Sequence, residues 1–572
     1  MRAAVKPALL LMALSAVIAS GCTRRETVEP ADTIYFGGSI ITVDAANPVV
    51  EAVAVRGGRI AAAGSLADLS ARNRGASTRM VDLAGRTMLP GFIDPHSHLI
   101  MGLLMEDQAN VTAPPVGPAG TAGEIVAELR KFAAARARKP GDFIIGYGYD
   151  DNLLPADHPL TRLDLDPAFP DNPVVVIHVS AHGAVLNSAA LKRFNITAAT
   201  RTPPGGVIAR LPGSQEPSGL LMETAWLSLH EQLPALSRDQ EQAAIGFAQG
   251  LYAAAGVTTA QDGATMEAQV ETLQRAADRG DLYIDVVSYP FIADLDRILA
   301  RHPAPTFGKY NHHLKLGGCK ILTDGSPQGR TAFFTTPYLT GGPGGEQDWR
   351  GEPTFPQDIL DGMFRQCYGH GLQAIVHANG DAAIDMALAA HEAAIEADPG
   401  RDRRTVVIHS QFVRRDQLQK YADLKLIPSF YTEHTFFFGE AHVKNRGPEQ
   451  ASFISPMKTA IAMGLKPTNH TDFSVVPIDQ MMVLWSAVNR TMRSGQVLGP
   501  DERVSPMEAI RAITINAAYQ YFEEGSKGSI HPGKLADLVI LDRNPLTVPV
   551  DDIRHIRVVE TIKEGRTIYP RP

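Results

Sequence analysis

The sequence predicts an α/β protein built on a (β/α)8 barrel, and three observations support this fold class. Eight apolar runs alternate with helical stretches between residues 88 and 472, and eight parallel strands are what such a barrel needs. Short alternating apolar and polar runs occur at both ends of the chain, and one long gap separates the first apolar run from the second. A chain of 572 residues, 44% hydrophobic and 20% charged, can bury a core of this size.

The first 21 residues have the pattern of a lipoprotein-type signal peptide. Arg2 and Lys6 precede an apolar stretch, residues 8–18, that is too short to cross a membrane comfortably. The small residues that follow resemble a bacterial lipobox, which implies that Cys22 is lipidated as the first residue of the mature protein. We therefore expect an exported protein on the periplasmic side of a bacterial membrane, which it contacts only through this lipid anchor. The alternative is ordinary secretion with an incidental cysteine.

The two ends of the mature chain have the same β-rich texture. Residues 31–88 contain short alternating runs broken by glycines, and residues 525–572 contain runs of the same kind. Two β segments at opposite ends of a chain most simply pair into one domain. We therefore assign residues 31–88 with 525–572 to one β domain and residues 89–520 to the barrel.

Eight apolar runs supply the expected barrel strands, and six of them close on His or Asp. The runs occupy residues 88–98, 257–262, 284–288, 314–324, 373–377, 405–409, 426–431 and 466–472. The first gap is too long for one helix, so residues 103–250 are expected to form an insertion with helices and strands of its own. Insertions at this end of a barrel shape access to the site.

Charge and cysteine content exclude some classes of protein. A formal net charge of -8 gives no reason to expect nucleic acid as a partner. Beyond Cys22 the chain has only Cys319 and Cys367, which are far apart in sequence, and we interpret each as a structural thiol rather than part of a disulfide framework. A homo-oligomer is compatible with the sequence.

The polar residues at the ends of the predicted strands form a candidate metal site. His96 and His98 project from the same side of the first strand because side chains alternate with period two. His377, His409 and Asp472 close later strands, and imidazole and carboxylate are the ligands that Zn²⁺ and similar divalent ions accept. Lys320 closes the fourth strand, where a free ammonium would repel a metal, so this lysine needs another role.

Motifs throughout the mature chain resemble the amidohydrolase superfamily and, more narrowly, its amidohydrolase 3 branch, which includes N-substituted formamide deformylases. The motifs that carry the resemblance are PGFIDPHSH at 90–98, GYGYDDN at 146–152, HGAVLNSAAL at 182–191, GVTTAQDG at 256–263, KILTDGSPQGRTA at 320–332, HANGDAAID at 377–385, IHS at 408–410, NHTD at 469–472 and KGSIHPGKLADLVILD at 527–542.

The resemblance implies a barrel flanked by a β-sandwich that both termini build. It also implies two divalent metal ions, expected to be Zn²⁺, bridged by a carboxylated Lys320, with His96 and His98 on one ion and His377 and His409 on the other. Asp472 would contact the metal and act as general base and then as general acid.

Four further residues are candidates for contact with a substrate, and each has a structural alternative. His182 either faces the metals or caps a turn, and His434 either lines the barrel mouth or packs in the core. Arg330 either clamps an acidic group of the substrate or pairs with Asp324. Tyr149 stands where the family commonly has Trp, and residues 180–182 and 469–471 also differ from the usual family residues.

The sequence therefore predicts a metal-dependent hydrolase that cleaves a carbon–nitrogen bond, other than a peptide bond in a protein, in a small amide, formamide or N-acyl compound. One alternative is a mononuclear, deaminase-like enzyme in which Lys320 is structural. An alternative of another class is a non-catalytic binding protein on the same scaffold, but such a protein is expected to lack ligands, and none is missing from this sequence.

Overall fold

The computed structural model describes residues 29–155, 157–230, 232–234, 236–396 and 398–570. The predicted signal peptide and Cys22 lie outside the described residues. Within the described ranges, no helix combines the length and the apolar character needed to cross a membrane.

The chain begins with five short strands and one helix before it enters the parallel strands. These elements are β1 (Thr33–Ile41), β2 (Val49–Arg56), β3 (Arg59–Gly64), α1 (Leu66–Asn73), β4 (Arg79–Asp82) and β5 (Thr87–Pro90), followed by β6 (Phe92–Ile93) and α2 (Leu99–Leu104).

The predicted insertion contains a sheet of its own. Its elements are β7 (Ala109–Asn110), α3 (Ala122–Ala135), β8 (Ile144–Tyr149), α4 (Arg162–Leu165), β9 (Val174–His178), β10 (Gly183–Leu186), α5 (Ser188–Arg193), β11 (Gly206–Arg210), β12 (Pro217–Glu223) and α6 (Thr224–His230). The six strands have the order β11-β12-β10-β9-β8-β7. Strands β7, β8 and β9 are parallel neighbours, whereas β10 to β12 are joined antiparallel.

Strands alternate with helices through the middle of the chain. The elements are α7 (Arg238–Ala254), β13 (Val257–Thr265), α8 (Glu267–Arg279), β14 (Asp285–Pro290), α9 (Leu295–Arg301), β15 (Tyr310–Asn311), β16 (Leu314–Leu316), β17 (Gly318–Leu322), α10 (Gln357–Gly369), β18 (Gln373–Ala378), α11 (Asp381–Ile395), β19 (Val406–His409), α12 (Arg415–Leu424), β20 (Ile427–Phe430), α13 (His434–Phe437), α14 (Gly439–Arg446), α15 (Pro448–Ser452), α16 (Met457–Ala462), β21 (Thr468–Asn469), α17 (Gln480–Asn489), α18 (Pro506–Ala512) and α19 (Ile515–Gln520).

The C-terminal strands return to the sheet that the N-terminal strands began. These strands are β22 (Leu538–Leu541), β23 (Val558–Lys563) and β24 (Arg566–Tyr569). Strand β22 pairs antiparallel with β5, so that Leu538 lies opposite Pro90 and Leu541 opposite Thr87. The two terminal segments therefore share one eight-stranded sheet.

Parallel pairing connects the strands that carry the candidate site. Strands β6, β13, β14 and β16 are successive parallel neighbours, and so are β17, β18, β19, β20 and β21. Only Gly317 separates β16 from β17, and a bridge between Phe291 and Lys320 joins β14 to β17. The α/β class predicted from the sequence is confirmed.

Backbone hydrogen bonds connect the first parallel strand to the chain that follows the last one. The amide of Asp472 donates to the carbonyl of His96 at 3.1 Å, and the amide of His98 donates to the carbonyl of Phe473 at 2.6 Å. Because the carboxyl ends of parallel strands lie at one edge, these bonds bring the first and last polar strand ends side by side.

A buried network of ion pairs holds the terminal sheet to the opposite end of the parallel strands. Asp285, at the start of β14, accepts from Lys527 at 2.5 Å and from Lys563 at 2.7 Å, and Lys563 also reaches Asp537 at 2.9 Å. All four side chains are buried. Removing one member would leave a charge uncompensated in the interior.

The interpretation of Cys319 and Cys367 as separate structural thiols is wrong. The structure joins them in a disulfide with a Cα–Cα distance of 6.1 Å. Cys319 lies on β17 and Cys367 on α10, and this helix packs close to the strand. Sequence distance gave no signal of the pairing, because the contact exists only once the helix folds back onto the strand.

We predict that the disulfide contributes measurably to stability. It closes a loop with a sequence separation of 48 residues, so the chain-entropy model gives about 4 kcal/mol. Replacing both cysteines with alanine should lower the free energy of unfolding by roughly this amount in denaturant titration. Peptide mapping of alkylated, unreduced protein should find Cys319 and Cys367 unlabelled. Labelling of both residues before reduction would contradict the pairing.

Candidate metal centre

The first half of the candidate centre consists of His96, His98 and Asp472. The Nε2 atoms of His96 and His98 each lie 3.4 Å from Oδ1 of Asp472. The three side chains come together because β6 ends beside the segment that follows β21. Their ligand atoms lie close enough together to hold one ion.

The outer nitrogens of these two histidines have fixed acceptors. Gln261 on β13 donates through Nε2 to the carbonyl of Pro95 and to the hydroxyl of Tyr521, so its Oε1 is left to accept from Nδ1 of His96 at 2.5 Å. Nδ1 of His98 donates to the carbonyl of Gly263 at 2.9 Å. Because Nδ1 carries the proton in both rings, both Nε2 atoms present a lone pair toward Asp472.

The second half consists of His377 and His409, which close β18 and β19. Nδ1 of His377 and Nε2 of His409 lie 3.1 Å apart. Nε2 of His377 lies 3.3 Å from the carbonyl of Gly325 and 3.0 Å from the amide nitrogen of Asn379. A proton on Nε2 that is directed to Gly325 would leave Nδ1 free to act as a ligand. Nδ1 of His409 lies 3.2 Å from Nε2 of His470.

Lys320 lies next to the first half of the centre. Its Nζ is 3.3 Å from Nε2 of His96, and the side chain is 2% exposed. Burial lowers the pKa of Lys320 to about 7, although the charge of Asp472 acts in the opposite direction. A large fraction of this amine is therefore uncharged near neutral pH. Lys320 is not paired with the nearby Asp324, which accepts from the backbone amides of Asn379 and Gly380.

The interior keeps the ligand histidines neutral. Burial lowers the pKa of His96, His377 and His409 well below the usual value, and neighbouring positive charges lower it further. A neutral imidazole is the form that binds a metal. Two of the strand-end residues, His409 and Asp472, also have positive φ angles of 70° and 52°. Backbone strain of this kind persists in residues other than glycine only where the surrounding structure imposes it.

The spacing of these atoms fits divalent metal ions. A tetrahedral zinc ion with bonds of about 2.0–2.1 Å holds neighbouring nitrogen or oxygen ligands about 3.3–3.4 Å apart. The separations of 3.4 Å around Asp472 and 3.1 Å between His377 and His409 are of this size. The donor set is nitrogen and carboxylate oxygen, which suits zinc and related ions. With metal bound, such a centre can polarise a carbonyl and activate water.

Two of the four predicted substrate residues lie in the insertion, at different distances from the metal ligands. Nδ1 of His182 donates to the carboxylate of Glu223 at 2.8 Å, and the ring centre of His182 is 5.1 Å from that of His377. Burial alone lowers the pKa of His182, but the adjacent carboxylate of Glu223 outweighs this and raises it. Tyr149 is buried and packs edge-on against His178, 5.5 Å between ring centres.

Arg330 contacts the insertion, and His434 packs against another histidine. Arg330 approaches Asp151 of the insertion, with a separation of 3.5 Å, and donates to the carbonyl of Gly342. The alternative prediction, that Arg330 pairs with Asp324, is therefore wrong. His434 is buried and stacks on His442, with Nδ1 2.9 Å from Nε2 of that residue.

Sequence reasoning did not identify three residues that contact the candidate ligands or His182. Gln261 lies within the motif at 256–263. Its position two residues after Thr259 puts both side chains on one face of the strand, which was a usable signal of its orientation. Glu223 had no motif of its own and meets His182 only through the pairing of β10 with β12. His470 was noted as a difference from the usual family residues, without a role.

The chain is similar to known proteins over most of its length. The model of the amidohydrolase family matches residues 79–569. The chain is 28% identical to an N-substituted formamide deformylase of Arthrobacter pascens, covering 94% of this chain and 98% of that protein. It is 30% identical to the protein LONG AFTER FAR-RED 3 of Arabidopsis thaliana, covering 94% and 92% of the two chains.

Solved structures are similar over nearly the full chain. An uncharacterised metal-dependent hydrolase from Pyrococcus horikoshii aligns with a TM-score of 0.70 at 23% identity, covering 94% of this chain and all of that one. An uncharacterised metal-dependent hydrolase from Pyrococcus furiosus aligns with a TM-score of 0.67 at 25% identity, covering 90% of this chain and all of that one.

We predict that the site formed by His96, His98 and Asp472 retains its metal as the pH falls. In a histidine with the usual pKa of about 6.5, the protonated form exceeds the neutral form by about ten to one at pH 5.5. Two such histidines together would weaken metal binding about a hundredfold. Because burial lowers the pKa of His96, this ring should stay unprotonated at pH 5.5, and the loss should be about tenfold at most. Zn²⁺ titration at pH 7.5 and 5.5 measures it. A hundredfold loss would contradict the assigned protonation state.

Proposed function

The chain belongs to the amidohydrolase family, and we propose that it is a metal-dependent hydrolase of carbon–nitrogen bonds in small amides, formamides or N-acyl compounds. The observation that carries this proposal is the position of Asp472. Its carboxylate lies 3.4 Å from the Nε2 atoms of both His96 and His98, beside a second histidine pair and a buried lysine. A proton acceptor at the centre of the ligands is what hydrolysis requires.

We propose that the centre holds two Zn²⁺ ions, bound by His96 and His98 on one side and by His377 and His409 on the other. When bound, the ions supply Lewis acidity toward the scissile carbonyl and make water more acidic. Lys320 would join the two halves as a carbamate. Carbamate formation needs an uncharged amine to attack carbon dioxide, and the pKa of about 7 that burial gives Lys320 supplies one near neutral pH.

Asp472 would carry the proton through the reaction. Its carboxylate accepts a proton from the attacking water as the oxygen bonds to the carbonyl carbon, and it returns that proton to the nitrogen as the carbon–nitrogen bond breaks. The backbone bond from its amide to His96 holds the carboxylate against the histidines. The positive φ angle of Asp472 directs the side chain away from the ordinary strand position.

His182 is the best-placed residue for contact with the substrate. Glu223 fixes the ring through Nδ1, so that Nε2 is left for another partner, and the ring lies against His377. Tyr149, Arg330 and His434 are proposed as more distant parts of the same pocket wall. A relative that bears the name N-substituted formamide deformylase supports a small N-substituted amide as the substrate class.

We also propose a domain division that matches this chemistry. The parallel strands β6, β13, β14, β16 with β17, and β18 to β21 would close into a (β/α)8 barrel spanning residues 89–520, with residues 103–250 inserted. Residues 31–88 and 525–572 would form a β-sandwich. The bonds from Asp472 to His96 and from His98 to Phe473 support closure between the first and last strands.

Export is proposed on two grounds. Residues 1–21 have the features of a lipoprotein signal peptide that ends before Cys22. Independently, Cys319 and Cys367 form a disulfide, and disulfides persist mainly in oxidising compartments such as the bacterial periplasm. We propose a periplasmic, lipid-anchored enzyme.

A panel of formyl, acetyl and longer N-acyl amides tests the proposed activity. We expect hydrolysis by protein that holds roughly two metal ions per chain, and a loss of about 10²–10⁴-fold in kcat for Asp472→Asn, because the proton acceptor is removed. Asp416→Asn, a change at an exposed carboxylate paired with Arg414, is the matched control and should keep full activity.

Three outcomes of this panel would contradict the proposal. Activity in protein that holds no metal would exclude metal dependence, and activity that survives both His96→Ala and Asp472→Asn would exclude the proposed centre. A single ion per chain with an unmodified Lys320 would favour the mononuclear, deaminase-like alternative.

Mass spectrometry of the membrane fraction tests the lipid anchor. We expect a mature N-terminus at Cys22 that carries acyl chains, and we expect Cys22→Ser to release the protein from the membrane while its hydrolytic activity is kept. A mature Cys22 without an acyl chain would contradict the anchor, though not export.

A further inference from the structure

The four histidines proposed as ligands differ in what holds their outer nitrogen. In His96 the acceptor is the amide oxygen of Gln261, and in His98 it is the backbone carbonyl of Gly263. These two oxygens can only accept, so they fix the position of the ring proton. Nε2 of His377 faces both the carbonyl of Gly325 and the amide nitrogen of Asn379. His409 alone is held by another imidazole, that of His470.

The contacts of His470 form a short buried chain. Its Nε2 lies 3.2 Å from Nδ1 of His409, and its Nδ1 lies 2.9 Å from Oγ of Ser429. His470 follows β21, Ser429 lies on β20 and His409 ends β19, so three consecutive strands supply the three members. His470 and Ser429 are both fully buried, away from bulk solvent.

The direction of the protons along this chain determines whether His409 can serve as a ligand. Nε2 of His409 faces Nδ1 of His377, and it must be unprotonated to bind an ion there. Nδ1 of His409 then carries the proton and donates to Nε2 of His470, which must be bare. His470 therefore carries its own proton on Nδ1 and donates it to Ser429. The opposite arrangement would place a proton on the ligand nitrogen of His409.

We propose that His470 is a positioning residue that fixes the tautomer and orientation of His409 and so sets the affinity of the second metal ion. The inference rests on the proposed two-metal centre and deepens it. His470 is not assigned as a ligand itself, because both of its nitrogens already face other groups. Outer partners of metal-binding histidines typically change metal affinity by about 10–100-fold, and here an imidazole takes the role that oxygens take elsewhere in the site.

Stepwise metal titration of the full mature chain with Co²⁺, followed by its visible absorption and by competition with a chelator, tests the proposal. We expect His470→Ala to weaken the second binding step by about 10–100-fold and to leave the first step unchanged. His470→Gln should recover most of this affinity, because its amide oxygen can accept near the position of Nε2. Ser429→Ala should weaken the second step less than His470→Ala does.

His391→Gln is the matched control. His391, on helix α11, is also buried, and its Nδ1 lies 2.6 Å from the hydroxyl of Tyr368. This variant should lower the melting temperature without changing either binding step, which separates a structural effect from an effect on the metal.

Several outcomes would overturn the inference. The inference fails if His470→Ala binds the second ion as tightly as the wild type does. It also fails if His470→Gln loses as much second-step affinity as His470→Ala loses. A Co²⁺ spectrum showing one nitrogen ligand fewer in His470→Gln would make His470 a ligand. If His470→Ala does not fold, Ser429→Ala decides, and a second-step affinity equal to that of the wild type in this variant overturns the inference.

Failure of the inference is distinguishable from failure of the proposed function. Wild-type protein that binds two ions and hydrolyses amides supports the function, whatever His470 does. Wild-type protein that binds one ion and still hydrolyses amides removes the second step and the inference, whereas the hydrolase proposal fails only if the amide panel is not cleaved.

Discussion

The candidate centre depends on the contact between the first parallel strand and the segment after the last one. The buried carboxylate of Asp94 accepts from the hydroxyl of Thr471 at 2.5 Å and from its amide at 3.2 Å. The next residue, Asp472, donates its amide to the carbonyl of His96. Side-chain and backbone bonds thus fix two segments that are almost 380 residues apart in sequence. Without them, the carboxylate and the two histidines would not converge.

Burial has two consequences at this centre that work together. It lowers the pKa of the histidines, which keeps their imidazoles neutral, and it lowers that of Lys320 to about 7. The same low dielectric makes each unpaired polar group expensive. The outer nitrogens therefore have partners, and those partners decide which nitrogen of each ring faces inward. The charge state and the tautomer of each histidine are therefore both set by the residues around it.

Much of the architecture was predictable because it follows from local pattern. Each of the eight apolar runs coincides with a parallel strand or its end, since buried parallel strands read as continuous apolar segments. The histidines at 96 and 98 share a face because of strand periodicity alone. The insertion was inferred from length alone. Its six-stranded sheet could not be inferred, because the pairing of β10 with β12 depends on contacts across more than 30 residues.

The class of fold, the candidate metal-binding chemistry and the family could be predicted from the amino-acid sequence, since they reside in residue types, spacing and strand period. The partners emerged from the folded chain: Glu223 for His182, Asp151 for Arg330, His470 for His409, and the disulfide between Cys319 and Cys367. The physical reason is that a hydrogen bond or disulfide needs atoms within a few ångströms of each other. That proximity is created by packing between distant segments, and no local pattern in the chain encodes it.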